Sequence, residues 1–147
     1  MSIIRPATKQ DLSDIQQLDQ ALNAERENMW DETTQQFHVR TSPRDSIALS
    51  KNDICFVAEE GDAIIGCVVG SITERKHYTL SKLGSLDVLY IMPEYRKQGI
   101  ASELLKKLEQ EFRTRGCDHI TTHTDAENLR AQGLYENMDM HKVTIEY

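Results

Sequence analysis

No apolar run in this sequence approaches the ~20 residues that a membrane-spanning helix needs. The 147 residues are 39% apolar and 6% aromatic, with only 3 prolines. This composition is typical of a globular protein, and the length fits a single domain over residues 1–147. The first residues, Met1-Ser2-Ile3-Ile4-Arg5, have no charged segment followed by an apolar core. We therefore expect neither a signal peptide nor a membrane partner.

Cysteine is also scarce, with 3 residues that form no Cys-x-x-Cys pair. An odd, widely spaced set argues against a disulfide framework and against a structural zinc site. Cys55 and Cys67 lie in strand-like apolar runs, where we expect them to be buried. The sequence also has no His-Glu-x-x-His motif, so we expect no metal. A reducing cytoplasm is the simplest expected location.

Positive charge is in deficit, because 17 Lys and Arg residues face 24 Asp and Glu residues and leave a net charge of −7. A nucleic acid requires a basic face on its partner, so we expect no nucleic-acid partner. The acidic balance is compatible with a cationic amine substrate. Solubility alone would explain the same charge.

Apolar periodicity predicts a mixed α/β fold, because short β-rich runs alternate with segments of helical spacing. The predicted strands cover residues 3–5, 53–59, 63–72, 86–92, 119–124 and 141–147. The predicted helices run from a cap at Thr8 or Asp11 to about residue 23, over about 43–50, over about 98–115 and over 128–137. A turn at Gly61-Asp62 joins two of the strands. The strand at 119–124 should lie beside the strand at 86–92, giving a strand–helix–strand crossover.

The strand at 86–92 runs into a turn that opens a helix through Arg96-Lys97-Gln98-Gly99-Ile100-Ala101. Such a turn exposes backbone N–H groups at the positive end of a helix, which suits a diphosphate. The cations Arg96 and Lys97 flank it. The spacing matches neither Gly-x-x-x-x-Gly-Lys-Ser/Thr nor Gly-x-Gly-x-x-Gly, so a P-loop NTPase and a dinucleotide site are both disfavoured. An ordinary strand–turn–helix would also use a glycine here.

The turn resembles the Arg/Gln-x-x-Gly-x-Gly/Ala signature of the GNAT N-acetyltransferase superfamily. A second stretch, Asn128-Leu129-Arg130-Ala131-Gln132-Gly133-Leu134-Tyr135, is similar to the Asn-x-x-Ala-x-x-Leu-Tyr pattern of that superfamily. The opening Ile-Arg-Pro-Ala-x-x-x-Asp-Leu at 4–12 and Phe-Val-Ala-Glu-Glu at 56–60 look like its N-terminal half. The resemblance covers nearly the whole chain. It implies a mostly antiparallel central sheet that splays at the cofactor-binding strand and is flanked by helices.

The resemblance also implies acetyl-CoA as co-substrate. Backbone groups of the splayed strand would bind the pantetheine arm, and backbone N–H groups of the turn would bind the pyrophosphate. Asn128 matches a residue that contacts the arm near the thioester, although it would equally serve as the N-cap of the last helix. The implied cofactor-binding residues are Leu89, Tyr90, Ile91, Arg96, Lys97, Gln98, Gly99, Ile100, Ala101, Ser102 and Asn128.

Tyr135 matches the general acid of the superfamily, which returns a proton to the departing thiolate. A buried aromatic residue with a satisfied hydroxyl group is the alternative role for this side chain. Asp87 stands where several members carry a carboxylate that acts as general base through water. A solvated strand residue, an ion pair, or deprotonation by solvent are the alternatives for Asp87.

The acceptor that the resemblance implies is a primary amine on a polyamine, an aminoglycoside, a peptide or a protein. Glu25, Glu27, Asp31 and Glu32 would suit a cationic acceptor, or they form a solvated acidic surface. A non-catalytic acyl-CoA-binding regulatory domain is the alternative function, and a homodimer is compatible with the resemblance. One departure concerns Asp139-Met140, where members often have Gly-Phe. Asp139 must then make the bend after the last helix.

Overall fold

The structure is a computed structural model that describes residues 2–30, 53–126 and 128–143. Its centre is a five-stranded sheet in the order β1-β2-β3-β4-β5. The strands are β1 (Ile3–Pro6), β2 (Asp53–Glu60), β3 (Ala63–Glu74), β4 (Lys82–Ile91) and β5 (His119–Thr122). The helices are α1 (Leu12–Met29), α2 (Ile100–Thr114) and α3 (Leu129–Glu136). The predicted helix over 43–50 lies outside the described residues.

The sheet is antiparallel from β1 to β4, whereas β5 pairs with β4 in parallel. The link from β4 to β5 contains α2, so these elements form the predicted strand–helix–strand crossover. The β2–β3 hairpin turns at Gly61, which has a φ of 61° that glycine tolerates without a steric penalty. The predicted mixed α/β class, with a mostly antiparallel sheet flanked by helices, is therefore confirmed.

Helices cover both faces of the sheet. On one face, Ile15 and Leu18 of α1 pack against Val57 and Val88. On the other face, Leu104 and Leu108 of α2 pack against β2, β3 and β4. Cys55 and Cys67 are buried free thiols, as the sequence predicted. Burial on two faces explains why β2 and β3 are continuous apolar runs rather than alternating ones.

The ring of Phe112 fixes the distance between α2 and the sheet. A Cβ atom at Gly84 would lie 2.8 Å from ring atoms of Phe112, and one at Gly70 would lie 2.7 Å from its Cζ. Both distances are shorter than real Cβ contacts. The two glycines, on neighbouring strands, therefore make the floor on which this fully buried ring lies.

An ionic cluster holds β1 to the start of α1. Asp11 accepts hydrogen bonds from Arg5 Nη1 at 2.8 Å and from the Thr8 backbone N–H at 2.8 Å. Arg5 Nε also donates to Glu59 of β2 at 2.7 Å. These bonds hold the pKa of Asp11 at about 2, below its ordinary 3.8, with the Arg5 hydrogen bond as the largest cause.

Element boundaries differ from the sequence prediction in several places. Helix α1 continues to Met29, beyond residue 23, β4 begins at Lys82, earlier than residue 86, and β5 ends at Thr122, earlier than residue 124. The strand predicted for 141–147 was wrong for residues 141–143, where Val143 is 87% exposed and no burial supports a strand. Residues 144–147 lie outside the described part of the chain. Within that part, no helix has both the length and the apolar character that crossing a membrane requires.

The bend after α3 is made by Asp139, as predicted from its position. Its φ is 61°, in the left-handed region that glycine usually occupies. The Asp139 backbone N–H donates to the Glu136 carbonyl oxygen at 3.0 Å, and that of Met140 donates to the Tyr135 carbonyl oxygen at 3.1 Å. These bonds satisfy the last carbonyl groups of α3.

Candidate active site

Strands β4 and β5 separate and leave a cleft between them. Their ladder runs from Leu83 opposite His119 to Leu86 opposite Thr122. Strand β5 ends at Thr122, while β4 continues to Ile91. A cavity of about 400 Å³ opens between the two strands beyond this point. This volume is within the range of small-molecule sites.

The cavity is lined by ten of the eleven residues that the resemblance implied for the cofactor. The exception is Gln98, which is exposed on the turn. Both implied catalytic residues also line it. The lining set from the prediction is Asp87, Leu89, Tyr90, Ile91, Arg96, Lys97, Gly99, Ile100, Ala101, Ser102, Asn128 and Tyr135.

The turn at 96–102 begins α2 through two left-handed residues. Lys97 has a φ of 64° and Gly99, the N-cap, has a φ of 81°. A glycine adopts this conformation freely, whereas a lysine does so at a steric cost. Ile100 is buried in the core and anchors the first turn of α2. The backbone N–H groups of this first turn are the unsatisfied donors that can bind an anion.

Arg96 does not extend freely from the turn. Its Nε donates to the Ile91 carbonyl oxygen at 2.9 Å, and its Nη2 donates to both carboxylate oxygens of Glu25 at 2.8 and 2.9 Å. The guanidinium lies 5.2 Å from the centroid of the Tyr90 ring. The cation predicted to flank the turn is thus held against the C-terminal part of α1.

Tyr135 lies where β4 and β5 part. It lines the same cleft as Thr122, the last residue of β5. Burial raises the pKa of Tyr135 above its ordinary 10.0. The group therefore remains a protonated phenol at neutral pH, which is the state that a general acid needs.

Asp87 occupies a β-bulge on β4. Val88 pairs with Val69 and Leu86 pairs with Gly70, so Asp87 is the extra residue between them. Bulges redirect a side chain and often occur beside active sites. Here the bulge comes directly after the last β4–β5 pair, and the exposed Asp87 lines the cleft.

Asn128 caps α3. Its Oδ1 accepts a hydrogen bond from the Ala131 backbone N–H at 3.1 Å. The capping role considered from the sequence is therefore present, and it fixes the side chain at the wall of the cleft. Its side-chain N–H₂ group is a donor that the cap does not use.

Sequence reasoning missed the contacts that join α1 to both walls of the cleft. Besides Arg96, Glu25 accepts a hydrogen bond from the Tyr90 hydroxyl group at 3.3 Å. The next residue, Arg26, binds Asp125 beyond β5, with Nε to Oδ2 at 2.9 Å. Glu25 is already bound to Arg96, so the structure does not place it as a free carboxylate for a cationic acceptor. Asp31 and Glu32 lie outside the described residues.

Potential metal ligands are dispersed. Across residues 2–30, 53–126 and 128–143, no group of three His, Cys, Asp or Glu side chains could hold a metal ion. Burial raises the pKa of Cys55 to about 12, so its thiol is not a nucleophile at neutral pH.

Comparison with known proteins agrees with this geometry. The model of the Acetyltransferase (GNAT) family matches residues 15–140. An acetyltransferase of Yersinia enterocolitica is 30% identical over 87 residues, which are 59% of this chain and 57% of that protein. N-alpha-acetyltransferase 30 of Xenopus laevis is 29% identical over 85 residues, which are 58% of this chain and 30% of that protein. The matches thus span only part of these relatives.

The fold also matches a solved enzyme. An aminoglycoside N-acetyltransferase, AAC(6')-Iy, in complex with CoA superposes with a TM-score of 0.74 at 18% identity, over 100% of this chain and 93% of that one. At this identity the likeness concerns the fold alone. The family assignment rests on the family model, which matches most of the chain. The chain belongs to the GNAT acetyltransferase family.

Proposed function

We propose that this protein transfers the acetyl group of acetyl-CoA to a primary amine by direct attack. One observation carries the proposal. A single cleft brings together a backbone anion site at 96–102, the strand segment at 89–91 beyond the last β4–β5 pair, and a half-buried phenol at Tyr135. These are the groups needed for a diphosphate, for an amide-bearing arm and for a leaving thiolate.

The cofactor site follows from the unmatched backbone of β4. Between Asp87 and Ile91 the described chain offers no β5 residue opposite β4, so the N–H and C=O groups on this side can bind the amides of the pantetheine arm. The turn N–H groups bind the pyrophosphate, and Lys97 adds positive charge. The Asn128 side-chain N–H₂ group contacts the arm. In this reaction acetyl-CoA supplies an activated thioester.

Two residues move protons in the proposed reaction. The amine nitrogen forms a bond to the carbonyl carbon while the carbon–sulfur bond breaks. Tyr135 gives its hydroxyl proton to the departing sulfur and regains one from solvent. Asp87, acting through water because an aspartate is short, accepts the proton that the attacking amine loses. No metal takes part in these steps.

The acceptor is proposed as a primary amine, since similar proteins are named for aminoglycosides and for protein N-termini. Glu25 does not select it by charge, because Arg96 already binds that carboxylate. We also propose a cytoplasmic location for the activity, because acetyl-CoA, free amines and peptides occur there together.

Thermal unfolding with acetyl-CoA, CoA and ATP, each added separately, tests the cofactor. A ligand that binds only the folded state raises the melting temperature, by an amount set by its concentration relative to Kd. We expect a rise with acetyl-CoA and CoA and none with ATP. A release assay for free thiol would then compare polyamines, aminoglycosides and peptides as acceptors.

The alternative is a non-catalytic acyl-CoA-binding regulatory domain. It would show the same rise in melting temperature but no release of thiol with any amine. If saturating acetyl-CoA and CoA left the melting temperature unchanged, neither function would stand.

A further inference from the structure

We propose that Glu25 is a positioning residue that holds the cofactor-binding turn in place through Arg96. The inference rests on the proposed use of the 96–102 turn for acetyl-CoA. It concerns α1, the helix on the opposite face of the sheet from α2. No motif in the sequence assigns a role to Glu25.

The first argument is the number of bonds that fix one guanidinium. Arg96 donates to Ile91 through Nε and to both oxygens of Glu25 through Nη2, while its plane lies near the Tyr90 ring. Charge-assisted bonds of this kind are stronger and more directional than neutral ones. The Arg96 side chain is only 20% exposed, so solvent screens the pair weakly. The start of the turn is therefore tied to the end of β4 and to α1.

The second argument is the backbone that follows. Lys97, the next residue, has a φ of 64°, a left-handed value that is unfavourable for any residue with a Cβ atom. Such a conformation persists only where its surroundings over-determine it. On one side the buried Ile100 begins α2, and on the other side Arg96 is held by Glu25. Without the Glu25 bonds, Arg96 keeps only its side-chain hydrogen bond to Ile91, so the N-terminal side of this strained turn is held less firmly.

The third argument is that α1 is itself fixed to the opposite wall. Arg26 binds Asp125 in the segment between β5 and α3, at 2.9 and 3.3 Å. Glu25 Oε2 also lies 3.7 Å from Arg130 Nη2 on α3. Two consecutive residues of α1 thus contact both walls of the cleft. The helix holds Glu25 against Arg96 from a fixed base.

Glu25→Gln tests the proposal, because it keeps the size of the side chain and removes the charge. In the ligand-free protein, we expect hydrogen exchange at the backbone amides of 97–102 to become about tenfold faster, while exchange in the core of α2 stays unchanged. We expect the Kd of acetyl-CoA to rise about tenfold. With the amine acceptor found in the screen, kcat at saturating acetyl-CoA should change less than twofold. A purely structural role would instead speed exchange throughout the protein.

Glu109→Gln is the matched control. Glu109 forms an exposed ion pair with Arg113 on α2, at 2.7 Å and far from the cleft, so turn exchange, the Kd of acetyl-CoA and kcat should all remain at their wild-type values. Glu25→Asp keeps the charge and should restore part of the affinity. If Glu25→Gln lowers the melting temperature too far, Glu25→Asp serves as the test, with a smaller shift in the same direction.

Non-additivity provides the decisive comparison. If Glu25 acts through Arg96, then Glu25→Gln should have no further effect on the Kd of acetyl-CoA in the Arg96→Gln background. Additive effects of the two changes, or turn exchange that Glu25→Gln leaves unaltered, would overturn the proposal. A wild-type protein that fails to bind acetyl-CoA would instead count against the proposed function, and the exchange measurement needs no ligand.

Discussion

The Thr122 hydroxyl group donates a hydrogen bond to the Leu86 carbonyl oxygen at 3.2 Å, at the last pair of the β4–β5 ladder. Thr122 and Tyr135 both line the cleft that opens at this pair. The hydrogen bond therefore holds β5 to β4 at the narrow end of the cleft, which the proposed acid also lines.

Tyr135→Phe should reduce kcat by about 10²-fold or more, because it removes the proton donor and leaves the packing of the ring. The Kd of acetyl-CoA should remain within twofold of the wild-type value. Tyr78→Phe, at an exposed tyrosine in the β3–β4 connection, is the matched control and should leave both values unchanged. Equal turnover by Tyr135→Phe and wild type would remove Tyr135 from the mechanism.

The pH profile gives a second test of the acid. The phenol is active while protonated and is lost as pH rises through its pKa, which burial raises above 10.0. The alkaline fall in kcat that depends on Tyr135 should therefore lie above pH 10. It should be absent from the profile of Tyr135→Phe. An alkaline fall well below that pH, shared by both proteins, would belong to another group.

Asp87→Asn should lower kcat/KM at neutral pH, because the attacking amine loses its proton acceptor. General bases typically contribute about 10²- to 10⁴-fold. The loss should become smaller as pH rises, since a larger share of the amine is then already neutral. Asp62→Asn, in the exposed β2–β3 turn, is the control. A profile for Asp87→Asn that matches wild type would assign deprotonation to solvent.

Asp11→Asn should destabilise the protein by about 2 kcal/mol at pH 7, which corresponds to the fall in pKa from 3.8 to about 2. A lowered pKa gives stability that is present above the unfolded value and is lost as pH falls through the folded value. The difference in unfolding free energy between variant and wild type should therefore shrink between pH 4 and pH 2. Urea unfolding at several pH values measures it, and the exposed Asp14→Asn should show a smaller effect.

Gly84→Ala and Gly133→Ala should change stability in opposite directions. The first places a Cβ atom 2.8 Å from the Phe112 ring, and overpacking of this kind costs about 1–3 kcal/mol. The second adds a Cβ atom in α3 with nothing within 4 Å, and it should stabilise the protein by about 0.5–1 kcal/mol. Chemical unfolding of both variants checks the signs. A stabilising Gly84→Ala would contradict the position of Phe112.

Asp139→Gly should raise the free energy of unfolding by up to about 1 kcal/mol, because glycine adopts the observed φ of 61° without steric cost. Asp139→Asn should give a smaller gain, since asparagine tolerates this conformation better than most residues. Asp139→Val should lower stability. If glycine instead destabilised the bend, the side chain of Asp139 would have a role that outweighs its backbone strain.

The sequence predicted those parts of the fold that apolar spacing defines. The helix over 98–115 was expected from Leu104, Leu108 and Phe112, and those side chains are buried on α2. Helix α1 was predicted to end near residue 23 because its apolar positions stop at Leu22. Its last turns are held by ionic contacts of Glu25 and Arg26, which leave no periodic apolar signal.

The start of β4 escaped prediction for a similar reason. Lys82, Gly84 and Ser85 are neither apolar nor good strand formers. They pair with β3 nonetheless, and Gly84 is required beneath Phe112. Local propensity cannot register a requirement that comes from a helix elsewhere in the chain.

The two motifs identified residues that line the cleft, but they did not identify the residues of α1 that hold its walls. Residues of the two motifs meet at one cavity, as the resemblance implied. Their catalytic and binding roles remain predictions. Arg96 was expected to act at the turn by its charge, and its partner Glu25 could not be found by sequence reasoning. An ion pair between residues 71 positions apart has no local pattern.

The bulge at Asp87 divides β4 into two halves and shifts the alternation of side chains between the two faces of the sheet. In a regular strand Leu86, Val88 and Tyr90 would share one face. Here Leu86 packs on the α2 side, whereas Val88 and Tyr90 pack on the α1 side. Deleting residue 87 would restore the regular alternation only by sending one half of the strand to the wrong core. The number of residues in β4 therefore cannot change without misplacing side chains. Deleting one residue there should be more damaging than replacing any one of them.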